Sequence, residues 1–79
     1  MEISVFKAYV DTIDRMSSEG IDILKGYISY LDNQSLKYKG NEDEKDDYHA
    51  FIMLIGIAQE RLIIMLFDKI SKIKELVLS

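Results

Sequence analysis

The chain has 79 residues, room for one domain that buries only about 60% of the surface its unfolded form exposes. It contains no cysteine and no proline, so disulfides cannot supplement a small core and no proline interrupts a helix. The net charge of −4 excludes the strongly basic surface on which general nucleic-acid binding depends.

The first residues, MEISVFKAYVD, carry acids at Glu2 and Asp11 and lack the basic and apolar regions of a secretory signal. With no cysteine, this sets the expectation of a cytoplasmic protein. Eight lysines against two arginines and an abundance of isoleucine suggest an AT-rich genome, as in a small bacterial or phage protein.

At about 100° per residue, Ile3, Phe6, Val10, Ile13, Met16, Leu24, Tyr27, Ile28 and Leu31 fall in one sector, with Tyr9 beside them. Lys7, Asp11, Asp14, Ser18, Asp22, Lys25, Ser29 and Asp32 lie opposite. This is an amphipathic pattern. It keeps its phase across Ser17-Ser18-Glu19-Gly20, which predicts one long helix over about 2–32. The alternative is a break at that site giving a three-helix bundle, because Ser and Gly are poor helix formers.

Asn33 is a candidate C-terminal cap, and a polar connection follows over about 33–41. Asn41 with Glu44 three residues later is a capping-box pattern that starts a second long helix over about 42–78. The acids Glu42, Asp43, Glu44, Asp46 and Asp47 then occupy its first turns, where a helix N-terminus favours negative charge. No period-two alternation or hairpin turn supports strands. The expected fold is all-α, a single domain over 1–79 built as a long antiparallel helical hairpin that dimerises into a four-helix bundle.

From His49 to Phe67 the second helix is apolar on nearly every side except at Gln59-Glu60-Arg61. One face, with Phe51, Ile52, Ile55, Leu62, Ile63, Leu66, Ile70, Ile73 and Val77, is expected to pack on the first helix. The surplus stripe of Met53, Leu54, Ile57, Ile64, Met65 and Phe67, with Glu60 and Arg61 setting register, is assigned to an interface with a second copy or another protein. Asp14 and Arg15 are possible ion-pair partners for those two charges. Ala50 to Phe67 nearly spans a bilayer, yet the central charges nearly cancel the gain from its aliphatic side chains.

Tyr30, Tyr38 and Tyr48 gather near the connection and form a candidate partner-contacting tip. Lys37 and Lys39 beside Tyr38 allow an RNA-binding alternative. The only histidine, His49, lies three residues after Asp46, too sparse a set for a metal site, and no nucleophile, glycine-rich phosphate loop or acid–base cluster is present. These residues predict a small acidic protein-interaction module, an adaptor, chaperone or inhibitor of a partner protein, that is not an enzyme and needs no cofactor. Its partners are itself, as a homodimer, and an unidentified protein. RNA binding and membrane association are the alternatives.

Overall fold

The computed structural model describes residues 1–78. The described residues are predominantly helical, with no strand among them. Three α-helices follow in order: α1 (Ile3–Glu19), α2 (Ile21–Leu36) and α3 (Lys45–Leu78).

The single long helix expected over about 2–32 is therefore two helices. Gly20 separates them, with φ 133° and ψ 168°, a backbone region that is essentially confined to glycine. One residue in that conformation reverses the chain. Tyr27 on α2 comes back beside Tyr9 and Thr12 on α1, the three bordering one shallow depression, with Tyr30 stacked on Tyr27. The unbroken phase of the apolar stripe is compatible with this reversal, because each helix turns its own stripe to the same inner axis. Ile13 on one side of the glycine and Leu24 and Leu31 on the other are all fully buried.

The second boundary also shifts. α2 continues past Asn33, which has no left-handed φ, and ends at Leu36. Successive backbone bonds from Lys37 N–H to Gln34 O (3.2 Å) and from Tyr38 N–H to Ser35 O (3.1 Å) tighten its last turn. Gly40, with φ 81°, completes the connection. The capping signal at Asn41 is realised: its side-chain oxygen accepts from Asp43 N–H at 3.1 Å, and its amide donates to the Glu44 carboxylate at 3.2 Å. Glu44 thus meets the side chain of the cap, whereas a standard capping box places that carboxylate on the backbone N–H. Residues 42–44 form one 3₁₀ turn leading into α3.

The core combines Ile13 of α1, Leu24 and Leu31 of α2, and Phe51, Leu54 and Ala58 of α3. Around Phe51 an aromatic group ties three segments together: Tyr9 meets its ring edge-on at 5.4 Å and Tyr38 stacks on it at 5.6 Å. Such pairs add about 0.5–1.5 kcal/mol beyond the area they bury. At this end the Met1 amine is 2.7 Å from the Asp47 carboxylate, which raises the amine pKa chiefly through that hydrogen bond.

Length then decides what the bundle covers. With 17 and 16 residues, α1 and α2 are each about 25 Å long, whereas the 34 residues of α3 extend for about 51 Å. The turn at Gly20 draws level with Lys69, where Glu19, Ile21 and Ile23 border the same shallow depression. Residues 70 to 78 continue beyond it.

Candidate interaction surface on the third helix

α1 and α2 sit on adjoining sides of the first half of α3. On the α1 side, Arg61 pairs with Asp14 at 2.9 Å, and Met1, Phe6, Asp46, Ala50 and Met53 border one depression. The α2 side includes Phe51 beneath Tyr38, with Ile55 and Leu62 half-buried. The remaining sector of α3 is uncovered. Ile52, Ile63, Leu66, Phe67, Ile70, Ile73 and Val77 are all exposed there, Phe67 by 65% and Val77 by 77%. Past Met65 every described residue of α3 is exposed.

The residues assigned from the sequence to an interface divide three ways. Met53, Ile64 and Phe67 are exposed, as a docking surface requires. Leu54 is fully buried in the chain's own core, and Ile57 and Met65 are half-buried against it. Of the two central charges, Arg61 is engaged by Asp14 within the chain, while Glu60 stands exposed. Both members of that ion pair are about half exposed, so it contributes at most about 1 kcal/mol.

The face assigned to intrachain packing behaves differently from expectation. Phe51 is buried, and Ile55 and Leu62 are half-buried, but Ile52, Ile63, Leu66, Ile70, Ile73 and Val77 face solvent. These exposed positions carry a signal that the one-long-helix reading concealed. Ile63, Ile70 and Val77 recur every seven residues, and Ile52, Gln59, Leu66 and Ile73 form a second series interleaved by three and four. This is the spacing of a coiled-coil seam. Two short helices cannot cover a seam of this length while also making the core.

The tyrosines of the proposed tip are not one cluster. Tyr38 and Tyr48 border a shallow cleft with Gly40, Asn41, Glu42, Lys45 and His49. Tyr30 stacks on Tyr27 at 5.5 Å and belongs with Tyr9 instead. Burial raises the pKa of both Tyr9 and Tyr27. No group of three His, Cys, Asp or Glu able to hold a metal occurs among the described residues.

α3 with its leading turn is also long and apolar enough to cross a membrane. The polar side of its last turns carries Asp68 and Glu75 as well as Lys72, and Lys72 pairs with Asp68 at 3.1 Å. A membrane-surface helix instead concentrates Lys and Arg on that side. No protein-family model, curated protein or solved structure matches the chain.

Proposed function

We propose that this chain is a small cytoplasmic protein-interaction module whose three-helix body presents α3 as a docking helix. The observation that carries this reading is the row of large apolar side chains exposed along α3 from Ile52 to Val77. A contiguous apolar surface of that extent on a small protein marks a contact site. Its shape, one straight helix, suits another helix laid alongside. The role is that of an adaptor, chaperone or inhibitor with no reaction of its own.

Three features support protein over lipid as the contact. Glu60 interrupts the apolar run on the uncovered side, Arg61 is tied to Asp14, and the last turns carry charges of both signs. For RNA, the tip offers Lys37, Lys39 and Tyr38 but is followed at once by five acids.

Sedimentation with neutral and anionic vesicles and fluorescence anisotropy with single-stranded RNA, both near physiological salt, test the reading. Protein docking predicts that the chain stays in the supernatant and leaves the RNA signal unchanged. Recovery in the vesicle pellet, abolished by Ile63→Glu with Ile70→Glu, would replace it with membrane association. Anisotropy that rises with protein and collapses with added salt would replace it with RNA binding.

A further inference from the structure

We propose that the uncovered face of α3 is occupied by a second copy of this chain, the two α3 helices running antiparallel about a two-fold axis beside Asp68. This rests on reading α3 as a docking helix.

The first support is the amount of surface. The chain exposes 5839 Å², whereas a compact monomer of its mass exposes about 4,900 Å². The excess of roughly 900 Å² matches one partner's share, about 800 Å², of a standard interface. The radius of gyration agrees, at 15.4 Å against about 11.6 Å for a compact chain of this length. Both excesses reflect α3 continuing beyond the body.

The second support is register. With the axis at Asp68, Ile63 layers against the copy's Ile73 and Leu66 against the copy's Ile70, each contact occurring twice by symmetry. Every central layer is then apolar and branched, and only the outermost layers, Gln59 with Val77, include a polar side chain. Phe67, 65% exposed in the single chain, meets its own counterpart across the axis.

Charge separates this arrangement from the parallel one. Antiparallel pairing sets Glu60 beside the copy's Lys74 at both ends of the seam and places one like pair, Lys69 with its counterpart, on the other flank, where each Lys69 has Glu19 of its own chain across a shallow depression. Parallel pairing sets Lys69 against Lys74 twice and gives Glu60 no cation. It also brings the two acidic leading turns, each with five acids and one base over residues 42–47, within about 10 Å, near the screening length at 0.1 M salt. Antiparallel pairing moves them to opposite ends, roughly 70 Å apart.

The chain has no cysteine among its residues, so single cysteines report the geometry directly. Light scattering across a concentration series should give twice the chain mass. Under oxidising conditions Phe67→Cys should form a covalent dimer and Val77→Cys should not, because the antiparallel copy places Val77 beside Gln59. Both sites are exposed, so neither substitution disturbs the core. At low salt Glu60→Lys should weaken the dimer by about tenfold, and adding Lys74→Glu should restore it.

Cross-linking through Val77→Cys, or a dimer in which Phe67→Cys does not cross-link, overturns the antiparallel arrangement while the docking helix stands. A monomer at every concentration overturns the second copy as occupant. If that monomer also pellets with phosphatidylcholine and phosphatidylglycerol vesicles, the docking reading fails with it; if it stays soluble, only the choice of partner fails.

Discussion

Gly20 concentrates in one residue the difference between a hairpin and a three-helix bundle. Its φ of 133° with an extended ψ is open to glycine alone, and a Cβ placed there meets nothing within 4 Å. The cost of Gly20→Ala is therefore backbone strain without a clash, about 1–3 kcal/mol, and urea unfolding should show it as a lowered midpoint with an unchanged slope. A second residue-scale contrast lies between Leu54 and Ile64, which the sequence places on one stripe. Leu54→Ala removes a fully buried side chain and should cost about 2–5 kcal/mol of folding stability, while Ile64→Ala, at an exposed site, should leave the unfolding midpoint of the monomer nearly unchanged. Tyr9 and Tyr27 provide a pH test. Burial raises both pKa values above the usual 10.0, so the unfolded chain loses these protons first. Their contribution is intact below about pH 10 and declines as pH rises through the folded-state values. Denaturation followed from pH 9 to 12 should show this loss, and Tyr9→Phe with Tyr27→Phe should flatten it.

Among the elements, α3 serves two purposes along one length. From Phe51 to Met65 it carries core-facing side chains, and beyond Met65 every described residue is exposed. A helix segment of about a dozen residues without packing is marginal in water. Hydrogen exchange at a concentration too low for assembly should therefore split α3, with slow amides around Leu54 and Ala58 and fast ones after about residue 68. Raising the concentration should slow the second group if its apolar face becomes covered. Helicity, the cap at Asn41 and the inward sector of α1 and α2 can be read from the sequence because they depend on local periodicity and on one side chain reaching nearby backbone N–H groups. The partition of the two faces of α3 cannot. It depends on how many helices pack against it, on which sides and how far along, and that depends on Gly20. A 30-residue first helix would lie along α3 on the face of Ile63, Leu66 and Ile70; two helices folded back at Gly20 enclose Leu54 and Ala58 instead, so Ile63 and Leu66 fall on the uncovered side of the body and Ile70 lies past the turn. The same dependence explains Leu54, which an unbroken hairpin puts on the outer stripe and α1 and α2 together enclose.

At the scale of the whole molecule, the single chain measures 57 × 23 × 15 Å, a body at one end and a helical arm at the other. Chains of this form can pair in two ways, and overall length distinguishes them without reference to any side chain. Parallel pairing sets the bodies side by side and leaves the longest dimension near that of one chain. Antiparallel pairing about Asp68 superposes only the second halves of α3, so each leading turn lies about 39 Å from the axis and the pair approaches 80 Å end to end. Small-angle scattering on the assembled species should accordingly give a maximum dimension near 80 Å with a mass of two chains. Ile63→Glu with Ile70→Glu should return both length and mass to single-chain values, because it sets charges in four of the central layers while touching no buried residue of the body. Circular dichroism of that variant should retain the signal of α1, α2 and the first half of α3 and lose helix only from the exposed last turns. A dimer whose longest dimension stayed near 60 Å would place the two bodies together, and the acidic turns at residues 42–47 would then have to be neutralised by something other than distance.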